Sequence, residues 1–403
     1  MVQLFSSKFK DIPLEALLYV IAVISRIFLI SIAWFITTAG EAAGFLHEPE
    51  GVFKNIKTEK SSLKGLARWD GQYYTEIAEF GYLKPEHTAF FPLYPSFINQ
   101  FIHIADPVLI GVLLNNLIFF PLSSIYVYKI AALLEPEEAK VSSVGKSAFL
   151  LFLYNPATIF FSAVYTESLF SCLTFIGIFY WMKKEHFSAF TCFVMSAFTR
   201  SNGFINAGFF CYHFLDGLMR KKIYWNKISY ILSCFTPFLL YQLYILWEFC
   251  AGELNIPEIL LSLFSFLNPT PHKNGAAFCN DLTLPFSHVQ KSNWENGFLS
   301  YWKVKKIPNF LLFAPCFIFT IRFASNNLQN FYSRYFVHAV HLSFLAFYAL
   351  FFMHVEVGTR MIMSSSPILY IWYAKHHKKQ FLLYGVLYTF LGLILFTNWY
   401  PWT

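Results

Sequence analysis

Charge is what this sequence has least of. Only 13% of its residues are Asp, Glu, Lys or Arg, against the roughly 25% usual in a soluble domain. A chain so poor in charge cannot clothe itself in hydrated groups, which excludes an ordinary water-soluble globule. Cysteine is sparse too, at seven in 403 residues, ruling out a disulfide-framed secreted scaffold, and no zinc spacing is present. Cys172, Cys192, Cys211, Cys234 and Cys316 lie in or beside apolar stretches as small buried hydrophobes. Cys250 and Cys279 flank a polar segment and are able to pair in an oxidising compartment. There is no internal repeat, no low-complexity linker and no Asn-X-Ser/Thr acceptor with X other than proline. No cleavable signal peptide is evident: the first apolar run is too long and lacks a small-residue exit, so it reads as a retained anchor.

What is abundant is apolar. Hydrophobic residues make up 56% of the chain and aromatics 21%, with 50 Phe and 24 Tyr. The surplus needs lipid, and Trp and Tyr suit its wet-to-apolar boundary. The net charge of +7 does not point to nucleic acid, because the lysines sit in short clusters beside apolar runs. Stretches near 14–36, 90–105, 107–134, 147–162, 167–182, 187–215, 228–249, 307–321, 336–354, 366–373 and 381–396 approach the ~20 apolar residues of a span. The composition and these runs predict an all-α integral membrane protein with ten or eleven transmembrane helices. Lys8 and Lys10, Lys183 and Lys184, Arg220 to Lys222, and Lys375 to Lys379 mark the cytoplasmic ends. Residues 1–403 then form a single membrane domain with two long polar loops on the far side, 37–88 and 251–306.

In the first loop Leu63, Leu66, Tyr73, Ile77 and Phe80 recur at helical spacing, as an amphipathic segment lying on the membrane would. Asp70 falls on that stripe. It reads either as the N-cap of a helix from about Gln72 to Glu79 or as a catalytic carboxylate, and spacing does not choose between them. Glu167, Arg200 and Arg360 stand in apolar surroundings. Ions inside a membrane are functional candidates; at an interface they would snorkel to water. An arginine inside suits a phosphate, because its planar fork donates two hydrogen bonds. Glu167 either touches substrate or pairs with an arginine. His338 and His341 share a helix face beyond which no third metal ligand is clear, so they read as interfacial histidines, and no metal site is expected.

Arg68-Trp69-Asp70-Gly71-Gln72-Tyr73-Tyr74, with Ala89-Phe90-Phe91-Pro92-Leu93-Tyr94-Pro95 after it, resembles the first lumenal loop of the GPI mannosyltransferase 2 family. Asn155-Pro156-Ala157-Thr158 through Tyr165-Thr166-Glu167-Ser168, and then Arg200-Ser201-Asn202-Gly203, are similar to its next blocks. So are the segments from Phe278 to Trp302 and His354-Val355-Glu356-Val357-Gly358-Thr359-Arg360. Five blocks in one order cover most of the chain.

The resemblance implies a GT-C-like fold in the endoplasmic reticulum membrane, its two lumenal loops carrying amphipathic helices and its active site facing the lumen. It implies a glycosyltransferase adding the second, α1,6-linked mannose to the glycosylphosphatidylinositol precursor. The donor would be dolichyl-phosphate-mannose and the acceptor mono-mannosylated glucosaminyl-phosphatidylinositol. No cofactor is expected, and a small membrane partner subunit is compatible with the chain. Many relatives carry an acid directly after the Trp-Asp pair, where this chain has Gly71. A lone Asp70 favours base chemistry without metal, although Glu76 and Glu79 lie nearby. Arg200, Arg360 and, behind them, His87 are the candidates for the donor phosphate. Trp69, Gln72, Tyr73 and Glu167 are candidates for substrate binding, as are Asn202, Gln290, Trp294 and His354. Two rivals remain at this point: a sibling mannosyltransferase with a protein or lipid-linked glycan acceptor, and a polytopic transporter.

Overall fold

A computed structural model describes residues 13–47, 54–135, 138–250, 276–280 and 283–402. Lys8, Lys10 and most of the second loop's first half lie outside these. Among the described residues every regular element is helical. The helices of eight residues or more are α1 (Leu14–Ala42), α2 (Asp70–Phe80), α3 (Pro107–Leu134), α4 (Glu138–Leu153) and α5 (Glu167–Met182). Then come α6 (His186–Thr199), α7 (Ala207–Met219), α8 (Trp225–Cys250), α9 (Pro285–Trp294) and α10 (Ile307–Asn327). The last are α11 (Phe336–Phe352), α12 (Gly358–Ser365), α13 (Ile368–His376) and α14 (Lys378–Thr397).

The chain is an all-α integral membrane protein. Among the described residues five helices, α1, α3, α8, α10 with its leading turn, and α14, are long and apolar enough to cross a membrane. In α1 the sequence places Leu18, Ala22, Leu29 and Ala33 on the buried face at three- and four-residue spacing, while Phe28 and Phe35 are 67% and 66% exposed. Large apolar side chains facing outward are stable in lipid and costly in water.

The ten or eleven continuous spans read from the sequence are not all present as such. Shorter apolar helices, α5, α6, α11 and the end of α4, carry several of them. The run 187–215 is broken at Arg200, where a 3₁₀ turn, Ser201–Asn206, separates α6 from α7. The run 90–105 is no span: its only helix is Leu93–Asn99. Pro92 is that helix's N-cap and disfavours helical backbone at Phe91, so the helix starts only at Leu93 and gives way to turns after Asn99. α1, by contrast, continues to Ala42, so the first loop begins later than Thr37. The proposed amphipathic stripe is two pieces, a 3₁₀ turn Lys64–Leu66 and then α2.

Successive helices run between two poles. At one, Lys129 pairs with Glu15 at 2.9 Å, Lys375 with Glu135 at 2.8 Å, and Arg334 donates to the Leu134 carbonyl. At the other, Lys64 meets Glu41 at the end of α1, and Ser61 donates to Asp106 ahead of α3. The first loop, the second loop and the breaks at Arg200 and Arg360 all gather at this second pole.

Non-helical backbone between α4 and α5 needs partners, because lipid supplies none. Arg26 of α1, 1% exposed, donates to the Leu153 carbonyl at 2.7 Å and to Thr158 and Ser162, over the Phe120 ring. From the other side α3 offers a π turn, Leu114–Phe119. There Asn115 donates to the carbonyls of Ala163 and Tyr165 at 2.6 and 2.9 Å, and Asn116 to that of Ser162. These anchors fix the approach to Tyr165 and Glu167.

Candidate active site

Arg68, fully buried, grips both oxygens of Glu59 at 2.8 and 2.9 Å and lies over the Trp399 ring. Gln72 donates to Glu59 and to the Ala67 carbonyl, and accepts from Asn55 N–H. Between these fixed residues Trp69 has φ of +53°, a conformation L-residues rarely hold and one found where a site imposes it. The turn directs Arg68 into the loop, Trp69 toward Trp399, and Asp70 to a cavity wall.

The helix starts at Asp70, two residues earlier than the sequence suggests, and its carboxylate caps nothing. The Asp70 N–H is held by the Tyr165 hydroxyl at 3.1 Å, which itself donates to the Arg68 carbonyl. The carboxylate instead meets Arg360, whose Nη2 donates to Oδ2 at 2.7 Å. The capping alternative is thereby decided against.

Arg360 sits on α12 with its guanidinium 5.0 and 5.1 Å from the Phe160 and Tyr165 ring centroids. Glu167, fully buried at the start of α5, is ion-paired with Arg200 and lies 3.7 Å from Arg360 Nη1. Arg200 also donates to Thr166. Two cations and two anions therefore interlock, and the arginines are inside and paired, not snorkelling. Their mutual compensation is what lets a fully buried Glu167 and three partly buried charges share one site.

Two cavities converge on this group. The first, about 390 Å³, is lined by Asp70, Arg200, Asn202, Gln290 and Arg360, and by a run of rings that includes Phe204, Phe238 and Phe344. The second, about 500 Å³, is lined by Trp69, Tyr73, Tyr165, Tyr301, Glu356 and Trp402. Asp70, Trp294, His354 and Arg360 belong to both. Asn202 donates to Ser365 across the first cavity's wall, and Asn296 donates to Gln290 within the second loop. His354 N–H donates to Asn296, and Gly297 and Leu299 N–H donate to the end of α11. A Cys250–Cys279 disulfide, Cα atoms 5.5 Å apart, joins α8 to the same loop. Burial, aided by the charge of Asp70, pushes the Tyr73 phenol up to about 12, and burial lowers His354. Both side chains are thus neutral at physiological pH.

Three expected site residues stand elsewhere. His87 lines neither cavity; it is fully buried behind Tyr73 with Nε2 2.9 Å from Glu76. Burial first, and Lys84 second, push it down to about 4, so an uncharged His87 is placed as scaffold and does not reach a donor phosphate. Gln72 is likewise scaffold. Glu167 lines neither cavity and orients the arginines. Glu76 faces His87 and Lys84, and Glu79 is paired with Lys57. His338 and His341 are buried against Phe209 within the helix packing. Among the described residues no three His, Cys, Asp or Glu side chains are grouped to hold a metal ion.

Sequence reasoning missed Arg26 and the Asn115-Asn116 pair, although each is a strongly polar group within an apolar run and so was legible. It also missed Glu356 and Trp402, which no local pattern marks.

Residues 14–330 match the family described as mannosyltransferase (PIG-V). The chain belongs to this mannosyltransferase family. Human GPI alpha-1,6-mannosyltransferase 2 is 30% identical over 78% of this chain and 73% of its own length. GPI mannosyltransferase 2 of Drosophila pseudoobscura pseudoobscura is 29% identical over 85% and 87%, respectively. The fission yeast Schizosaccharomyces pombe protein of that name is 29% identical over 77% and 64%. No solved structure matches the chain. Membership of a mannosyltransferase family sets the transporter reading aside and makes the paired acid and arginines at the cavity junction an enzyme's candidate machinery.

Proposed function

We propose that this mannosyltransferase moves mannose from dolichyl-phosphate-mannose to the 6-hydroxyl of the mannose on mono-mannosylated glucosaminyl-phosphatidylinositol. The relatives' names supply the α1,6 linkage and the GPI pathway. The observation that carries the reading is the meeting of two cavities at Asp70 and Arg360, since a transferase must bring two substrates to one point. The first cavity suits the donor: its arginines face a lipid phosphate, and its Phe-rich wall follows the polyprenyl chain. The second, rich in Trp and Tyr, suits sugar rings.

The donor's β-linked mannose and the product's α linkage require one inversion. The acceptor oxygen attacks the anomeric carbon as the bond to the phosphate oxygen breaks, and that oxygen keeps the electron pair. Asp70 takes the hydroxyl proton during attack, a role worth about 10²- to 10⁴-fold. Arg360 occupies Oδ2, and among the described residues no hydrogen bond falls on Oδ1, which is left for the incoming hydroxyl. Arg200 and Arg360 stabilise the charge growing on the leaving phosphate. Glu167 holds both arginines in place, and the rigid cleft contributes orientation.

An active site on the lumenal side of the endoplasmic reticulum is supported by the disulfide, since such bonds persist in oxidising compartments. The test is transfer of labelled mannose by purified protein in the presence of chelator, with the product's linkage read by an α1,6-specific mannosidase. An α1,6 product is expected. Folded protein that gives no product from this donor and acceptor overturns the proposal, and activity only on adding metal would make Asp70 a ligand in place of a base.

A further inference from the structure

Glu356 is a carboxylate that neither the charge cluster nor the transfer step uses. It lies in the 3₁₀ turn Val355–Val357 between α11 and α12, half-buried, on the wall of the second cavity. Tyr301 donates to its Oε1 at 2.6 Å, and Asn309 donates to the same oxygen. Both hydrogen bonds fall on Oε1, so Oε2 is left to the cavity. Among the described residues no basic side chain is ion-paired with Glu356; Lys306, on the same wall, stands over the Tyr301 ring. A carboxylate held in one orientation by two neutral donors, without a cation of its own, keeps its charge for something that enters.

Its neighbours say what kind of molecule that is. Trp69, Tyr73, Trp294, Tyr301 and Trp402 surround the cavity, presenting flat apolar faces with polar edges, the surface that sugar C–H faces stack on. Among the described residues the buried indole N–H groups of Trp69 and Trp402 have no hydrogen-bond partner. An aromatic-walled cavity with one aimed anion fits a glycan bearing a cationic group. The acceptor has one: its glucosamine is not acylated, and the free amine is protonated near neutral pH.

We infer that the second cavity holds the acceptor glycan and that Glu356 binds the glucosamine ammonium, making it a specificity-determining residue for acceptors with a free amine. The inference rests on the function proposed above. A charge-assisted hydrogen bond of this kind corresponds to about tenfold to a hundredfold in affinity.

The experiment measures transfer by the full chain to mono-mannosylated glucosaminyl-phosphatidylinositol and to its N-acetylated counterpart, wild type beside Glu356→Gln. The glutamine keeps an acceptor oxygen for Tyr301 and Asn309 and removes the charge. Wild type is expected to prefer the free amine in kcat/KM by tenfold or more, with the loss in Glu356→Gln falling mainly on KM for that acceptor, bringing the ratio toward one. Glu356→Asp, which retains charge, should restore part of the preference. Where Glu356→Gln gives no folded protein, Tyr301→Phe removes one of the two aiming bonds, and a reduced preference there carries the same reading. Wild-type transfer to both acceptors with a ratio that no substitution changes overturns the inference and leaves the proposed function standing. No transfer to either acceptor by folded wild type overturns both.

Discussion

Arg360 and Asp70 are joined by a 2.7 Å hydrogen bond across 290 positions of sequence. The bond brings the first loop to the turn after α11, and the two cavities share both residues. An isolated carboxylate at that depth would be costly, and so would an isolated guanidinium; together they tolerate burial while the site is empty. A donor phosphate would share that guanidinium, since the fork can hold Asp70 through Nη2 and still donate from its other N–H groups.

Arg360→Lys keeps the charge and loses the fork. A lysine can meet Asp70 or a phosphate as a point charge, but cannot donate to Asp70 and phosphate from one plane. The variant is expected to lower kcat about 10²-fold at saturating donor, in the range found for removing one preorganised donor. Steady-state kinetics checks this, and an unchanged kcat would show that Arg360 has no part in the transition state.

Asn115→Leu tests the scaffold beneath Asp70. Its amide serves the Tyr94 hydroxyl and the carbonyls of Ala163 and Tyr165; with leucine, Ala163 still accepts from Tyr165 N–H and Tyr94 still donates to Gly111, so the loss falls chiefly on the Tyr165 carbonyl. Losing the partner of a buried acceptor costs about 1–3 kcal/mol. A lower unfolding midpoint in detergent is expected, together with reduced transfer, because Tyr165 holds the Asp70 backbone. Wild-type stability and activity would mean the π turn is not what supports the site.

The Cys250–Cys279 disulfide spans 29 positions. Reduction, or Cys250→Ser, is expected to cost about 3 kcal/mol by releasing the unfolded chain. It should also raise KM, since the second loop supplies Gln290 and Trp294 to the cavities. Thermal unfolding with and without reductant checks the first effect; identical midpoints would indicate that the bridge contributes nothing.

Much of this was legible in the sequence. The lysine clusters and the apolar runs separate two poles, and Asp70, Arg200 and Arg360 stand out because ions within apolar surroundings need a reason. Their convergence is a tertiary fact that spacing cannot supply: Asp70 reads equally as a helix cap until Arg360 is seen against it. His87 misled because a histidine beside a block that resembles the family suggests a cation, whereas burial and Glu76 make it part of the wall behind Tyr73. The run 90–105 misled because composition measures apolarity and not continuity: Pro92 delays the start of the helix to Leu93, and the chain leaves it after Asn99. Trp402 and Glu356 could not be assigned a place for a third reason: each gains it from tertiary packing, Trp402 against Tyr388 of α14 and Glu356 against Tyr301, 55 positions away.

The central claim is that Asp70 is the base, and Asp70→Asn tests it most directly, since asparagine keeps the shape and still accepts from Arg360. Single-turnover transfer from dolichyl-phosphate-mannose should fall about 10²- to 10⁴-fold while donor binding and the unfolding midpoint stay near those of wild type. Turnover within a fewfold of wild type would remove Asp70 from the reaction and with it the mechanism proposed for this enzyme.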